Sequence, residues 1–132
     1  MGTDPAVLQA LPIFAGLSRE QCERVAGWCE EREAEAGDRL TPEGASGYTF
    51  FLIEEGTAEV SRDGEFLAEL GPGDFFGEGA LLGESGRRNA SVVAASPMRL
   101  AVMYGTAFRQ LEAEFPQVAE HVRATMLRRL TD

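Results

Sequence analysis

Residues 71–92 read Gly71-Pro72-Gly73-Asp74-Phe75-Phe76-Gly77-Glu78-Gly79-Ala80-Leu81-Leu82-Gly83-Glu84-Ser85-Gly86-Arg87-Arg88-Asn89-Ala90-Ser91-Val92. This pattern predicts a glycine-rich turn, a very short helix near Gly79–Leu82, a polar loop, two adjacent arginines and a strand. Glycine lets a backbone approach a bound group closely. The start of a helix offers unpaired N–H groups to an anion, and arginine gives a phosphate two parallel charge-assisted hydrogen bonds. Glu78 cannot hold a phosphate, but its carboxylate can accept from a sugar hydroxyl. One stretch thus combines an anion cradle with a sugar acceptor. It lacks the Gly-Lys-Ser/Thr of a P-loop and the Gly-x-Gly-x-x-Gly of a dinucleotide site.

On both sides of this stretch the text is that of short strands. From Glu30 to Met103, brief apolar runs alternate with glycine at 37, 44, 47, 56, 64, 71, 73 and 77. Tyr48 to Ile53 is aromatic and β-branched and predicts a strand, and Thr57 to Ser61 predicts a second. Arg62-Asp63-Gly64 reads as a tight turn into the alternating run Glu65–Leu70, a hairpin signal. Ser91–Ala95 and Met98–Met103 read as a further strand pair broken at Ser96-Pro97. Many short strands at regular spacing imply a sandwich or barrel-like roll.

Helical periodicity frames the roll. Leu8, Leu11, Phe14 and Leu17 recur with helical spacing, and Pro12 and Gly16 divide this stretch into two short pieces. Ser18 with Gln21 forms a capping-box pattern for a helix from Arg19 to about Cys29. After Thr106, Phe108, Leu111 and Phe115 share a face, and Pro116 suits the first turn of a new helix. Val118, Ala119, Val122, Met126, Leu127 and Leu130 then form an apolar stripe. The order predicts one domain over residues 1–132, with N-terminal helices at about 6–29, a β-roll at about 30–103 and C-terminal helices at about 105–130. The fold class is α+β, mainly β: a double-stranded β-helix, or jelly-roll-like β-roll, between two helical segments.

Charge narrows the partners. The net charge is −10, and all 12 basic residues are arginines. An acidic domain is poorly suited to direct nucleic-acid binding, which rests on neutralising phosphates with cations. An anionic ligand therefore needs a local cation. No apolar run approaches the roughly 18 residues of a membrane span, and Met1-Gly2-Thr3-Asp4-Pro5 lacks a basic start and apolar run. The expectation is a cytoplasmic protein. Cys22 and Cys29 read as buried thiols, too far apart along a helix for a disulfide. With His121 the only histidine, no metal-ligand set is apparent.

The 71–92 stretch resembles the cyclic-nucleotide-binding domain family. That family's phosphate-binding cassette runs approximately Phe-Gly-Glu-x-Ala-Leu-x, a short loop, then Arg-x-Ala-Ser/Thr-Val. This chain has Phe76-Gly77-Glu78-Gly79-Ala80-Leu81-Leu82, then Arg88-Asn89-Ala90-Ser91-Val92. Gly37-Asp38-Arg39-Leu40 with Glu43-Gly44, Phe50–Ile53 with Gly56, and Leu11, Phe14 and Leu17-Ser18 extend the likeness over roughly residues 8 to 130. The resemblance implies that Arg88 pairs with the cyclic phosphate and that Glu78, with the Gly77 backbone beside it, accepts from the ribose 2′-hydroxyl. It implies a backbone N–H from Ala80 to the phosphate and a phosphate or base contact from Asn89. Gly79, Leu81 and Ala90 complete the ligand-binding set. Arg88, not Arg87, stands at the family's distance from Val92. The ligand would be cAMP ahead of cGMP, with no cofactor and no catalysis. A homodimer through the last helix, or an effector domain, would be the protein partner.

This chain departs from the pattern at Gly79, where the family has an aliphatic residue, and at Gly86, where many members have proline. Glu84 adds an acid to the loop. These departures leave a second expectation: a related scaffold that acts through protein contacts without nucleotide. An enzyme of the cupin kind needs several histidines around a metal, and the single histidine argues against it. Phe50, Phe51, Phe75 and Phe76 are expected in the core, Trp28 against the N-terminal helix, and His121 on a helix surface.

Overall fold

The computed structural model describes residues 3–41, 49–62, 64–77 and 91–131, with the side chains of 41 and 126–131 excepted. The chain enters through helix α1 (Pro5–Gln9), a 3-10 turn (Pro12–Phe14) and helix α2 (Arg19–Ala26). Ser18 caps α2 as its sequence suggests: its Oγ accepts from Gln21 N at 3.1 Å, and the Gln21 side chain accepts from Ser18 N at 2.8 Å. The helix ends at Ala26, earlier than the expected Cys29. Gly27 caps it with its N–H still on Glu23 O, and Trp28 N and Cys29 N bond the carbonyls of Val25 and Ala26 in a tightened last turn.

The strands are β1 (Glu30–Ala34), β2 (Arg39–Thr41), β3 (Thr49–Glu55), β4 (Ala58–Arg62), β5 (Glu65–Leu70), β6 (Phe75–Phe76), β7 (Ser91–Ala94) and β8 (Met98–Tyr104). They form two antiparallel sheets, ordered β1-β8-β3-β6 and β2-β7-β4-β5. Helices α3 (Gly105–Glu114) and α4 (Pro116–Thr131) follow, with Pro116 at the start of α4. The architecture is mainly β with flanking helices, as the sequence predicts.

Strand β3 explains the layering. Its residues Phe50 to Glu54 are all buried, because it is covered on both faces. Phe50 and Leu52 join the core under the helices, with Leu8, Phe14, Val25, Phe75, Met103, Phe108, Leu111 and Val118. Phe51 and Ile53 join the core between the sheets, with Phe76, Val92, Ala94, Leu100 and Val102. A strand buried on both faces loses the polar-apolar alternation of a half-exposed one.

Ser91–Ala94 and Met98–Tyr104 are strands, but they do not pair with each other. β7 lies between β2 and β4 in one sheet, and β8 between β1 and β3 in the other. The Ala95–Pro97 link crosses between sheets rather than closing a hairpin. Its polar groups bind the turn after β3: Ala95 N donates to Thr57 O at 2.9 Å, and Thr57 N donates to Ser96 Oγ at 3.0 Å. Gly56 makes this close approach possible. Its φ is +89°, and a Cβ there would sit 2.3 Å from Pro97 O.

A buried acid sits where β3 ends. Glu54 lies on the helix-facing side of its sheet with 8% exposure, and its Oε2 has no hydrogen-bond partner among the described residues. Burial, a side-chain hydrogen bond with Glu31 and the charge of Glu31 push its carboxyl up to about 8, with Arg99 opposing and Glu55 reinforcing. Glu31 in turn accepts from Thr3 Oγ1 at 3.0 Å and faces Arg99 at 3.7 Å. A neutral acid leaves only a carbonyl oxygen unsatisfied, which costs less than a bare buried carboxylate. Burial, Glu54 and Glu31 push the neighbouring Cys29 thiol up to about 12, which keeps it protonated and unreactive. Cys22 and Cys29 are both free and buried.

Gly56→Ala combines a left-handed backbone with a backbone clash and will lower stability by roughly 2 kcal/mol or more, read by urea unfolding. Between the ordinary Glu pKa and about 8, folded Glu54 holds a proton that the unfolded chain releases. Stability therefore falls as pH rises through that window and no longer responds to this group above it. Glu54→Gln will flatten that slope in melting curves taken from pH 5 to 9.

Candidate functional site

The candidate cassette hangs between two fixed points. Its entry is β6, where Phe75 and Phe76 pair with Leu52 and Phe51 of β3. Successive side chains of a strand point to opposite faces, so the two rings divide between the two cores. Phe76 stacks on Phe51 with centroids 4.8 Å apart and planes 12° apart. Phe75 packs on Phe50 at 5.4 Å beneath the helices. The turn before β6 is equally tied down. Asp74 Oδ2 accepts from Gly71 N at 2.8 Å, Gly73 N donates to Ile53 O at 2.9 Å, and Ile53 N donates to Asp74 O at 2.9 Å.

Gly77 follows Phe76 with φ at +93°, a conformation that glycine enters without strain. The far anchor is β7, which begins at Ser91 opposite Ser61 in the other sheet. The candidate segment thus follows one sheet at Gly77 and precedes the opposite sheet at Ser91. Of the expected ligand-binding residues, Gly77 is described. Glu78, Gly79, Ala80, Leu81, Arg88, Asn89 and Ala90, and the short helix expected near Gly79–Leu82, lie outside the described residues.

The C-terminal helices reach the base of this segment. The His121 ring of α4 meets Phe75 edge-on at 6.2 Å, and Phe108 of α3 meets Phe50 at 5.3 Å. Phe75, Phe50 and Phe108 form a continuous aromatic contact from the cassette's entry to α3. His121 is exposed, as expected for a helix surface, yet its ring touches Phe75. Trp28 packs on Phe115 at 6.2 Å, with the Arg24 guanidinium 5.7 Å from its ring, so it joins α2 to the α3–α4 junction. Sequence reading missed these links because aromatic partners distant along the chain leave no periodic trace.

Arg24 and Glu114 form an ion pair between α2 and α3, and the Arg123–Glu112 pair joins α4 to α3. The Glu114 carboxyl is held below its ordinary range by hydrogen bonds from Arg24 and Gln110. Among the described residues no group of histidine, cysteine or acidic side chains could hold a metal ion. No helix among them is long and apolar enough to cross a membrane.

This two-sheet roll with flanking helices is matched among known proteins. Residues 31–115 match the family described as cyclic nucleotide-binding domain, and the chain belongs to that family. It is 34% identical over 104 residues to a cAMP-dependent protein kinase regulatory subunit of Hypocrea atroviridis, covering 79% of this chain and 22% of that protein. It is 35% identical over 95 residues to a cGMP-dependent protein kinase of Drosophila melanogaster, covering 67% of this chain and 10% of that protein. The crystal structure of the Thermus thermophilus catabolite activator protein superposes with a TM-score of 0.80 at 30% identity, covering 91% of this chain and 58% of that one. The chain therefore spans a small part of these two kinase-related proteins and somewhat over half of the activator.

At Gly77 the positive φ sets a measurable constraint. Gly77→Ala will cost about 1–2 kcal/mol through left-handed backbone strain, seen as a lowered Tm with the far-UV circular dichroism unchanged.

Proposed function

We propose that this domain is a non-catalytic sensor that binds a cyclic nucleotide, cAMP ahead of cGMP, within the segment Gly77–Ala90. Family membership together with the cassette residues Gly77-Glu78 and Arg88-Asn89-Ala90-Ser91 carries this reading. In it, the Arg88 guanidinium makes a bidentate pair with the cyclic phosphate, and backbone N–H groups from Gly79 to Leu81 complete the cradle. Glu78 accepts the ribose 2′-hydroxyl. In a chain of net charge −10 an anionic ligand needs a local cation, and Arg88 supplies it. The order of the two nucleotides is supported by the similarity to cAMP-dependent kinase regulatory subunits and to a cyclic AMP receptor protein of Thermus thermophilus, beside that to cGMP-dependent kinases.

Signalling follows from the aromatic contacts. Ligand capture draws the cassette inward, Phe75 shifts against Phe50 and His121, and α3 and α4 repack. The ligand moves this equilibrium only by its differential affinity for the two arrangements. The reading also includes an effector domain or a second copy at the C-terminal helices, and a cytoplasmic location.

Calorimetric titration with cAMP, cGMP and 5′-AMP tests the proposal. Micromolar or tighter binding of a cyclic nucleotide, with AMP much weaker, is expected. Arg88→Ala will weaken it about tenfold to a hundredfold through loss of charge-assisted hydrogen bonds. Unchanged affinity in that variant overturns the assignment of Arg88. A folded, ligand-free protein that takes up neither cyclic nucleotide points instead to the scaffold that Gly79 and Glu84 suggest.

A further inference from the structure

Of the large apolar side chains that are exposed among the described residues, two are neighbours on one strand: Phe66 at 60% and Leu67 at 47%. They lie on β5, the last strand in the order β2-β7-β4-β5. Val60 pairs with Ala68 and Ser61 with Phe66, so Leu67 is an extra residue in a bulge. A bulge on an edge strand resists the addition of another strand. It leaves Phe66 and Leu67 as side-chain anchors rather than as part of a pairing template.

The charges around these anchors define what they fit. Along β4, Glu59 and Ser61 face away from Ala58 and Val60, and their ladder partners are Glu69 and Phe66. Glu59 and Glu69 are thus directly opposed, both exposed, beside Phe66. Like charges directly across a ladder destabilise it. None of the ion pairs among the described residues reaches Glu59 or Glu69. The hairpin carries an uncompensated acidic pair next to two exposed apolar side chains. A cation placed between the glutamates would relieve the repulsion while its apolar neighbours cover Phe66 and Leu67.

From this juxtaposition we infer that the outer face of the β4–β5 hairpin is a docking surface for a cationic, amphipathic segment of a partner protein. Other occupants fit less well. A second copy pairing about Leu67 would set Glu65 against Glu69, adding like-charge contacts. An anionic bilayer would be repelled by the same glutamates. The inference is independent of nucleotide binding.

The test uses the full chain and a fluorescein-labelled amphipathic peptide of alternating leucine and arginine pairs, with Glu-for-Arg and Ser-for-Leu versions as controls. Anisotropy gives affinity, and amide shifts in 15N-labelled protein give the location. The leucine–arginine peptide is expected to bind best, with shifts concentrated at Glu59–Ser61 and Phe66–Glu69. Phe66→Ser, which leaves net charge unchanged, is expected to weaken binding at least about fivefold. Glu69→Lys is expected to weaken it further at low salt. Arg88→Ala is expected to leave it unchanged, which separates this surface from the nucleotide site. Phe66 is exposed, so its variant should fold, and an unchanged Tm verifies that. Absence of binding, shifts centred elsewhere, equal affinity of Phe66→Ser, self-association through the hairpin or a preference for anionic vesicles overturns the inference.

Discussion

Strand β3 is a wall shared by two cores. Phe50 and Leu52 face the helices, and Phe51 and Ile53 face the second sheet, all at 3% exposure or less. Each such burial contributes roughly 1.5–3 kcal/mol of transfer free energy, and here consecutive residues contribute to different cores. The helices pack on one face of this strand, and the second sheet packs on the other. β8 repeats the arrangement beside it, with Ala101 and Met103 on the helix side and Leu100 and Val102 between the sheets.

The same two-sided logic fixes the entry to the candidate site in just two residues. Phe75 and Phe76 give one ring to each core through the β3 ladder. A two-residue strand has little ladder of its own, so ring packing holds it. Gly77 can then turn sharply from a point that two cores anchor. Across the gap, β7 begins in the opposite sheet.

Much of the fold was legible in local sequence. Alternation and glycine spacing marked the strands, Ser18 and Gln21 marked a helix start, and Pro116 marked another. What was not legible was partner choice. Ser91–Ala94 and Met98–Tyr104 look like a hairpin because they are close in sequence with a turn between them. Only the hydrogen bonds from Ala95 and to Ser96, made with Thr57 far away, show that the link crosses between sheets. Glu54 shows another limit. It follows an apolar run and reads as the polar end of a strand, yet β3 continues through it and buries its carboxyl beside Glu31. Of the candidate site, motif spacing carried nearly all that could be read. The structure adds the anchoring at Gly77 and Ser91 and the aromatic floor around the entry residue Phe75, neither of which has a sequence period.

The aromatic floor also decides how a change at the cassette could travel. The ion pairs Arg24–Glu114 and Arg123–Glu112 tie α3 to α2 and α4, but their arginines are about half exposed, at 58% and 46%. Pairs of that kind are worth little in water. Phe50, Phe108, Leu111, Phe115, Val118 and Val122 are buried at 6% or less and hold the helices far more firmly. Close-packed interiors do not deform continuously; they switch between discrete packings. A displacement of Phe75 would have to be accommodated by Phe50, Phe108 and His121 together. The stiffness that makes β3 a good wall would thus make this floor a lever, since rings that cannot compress must pass their shift to α3 and α4.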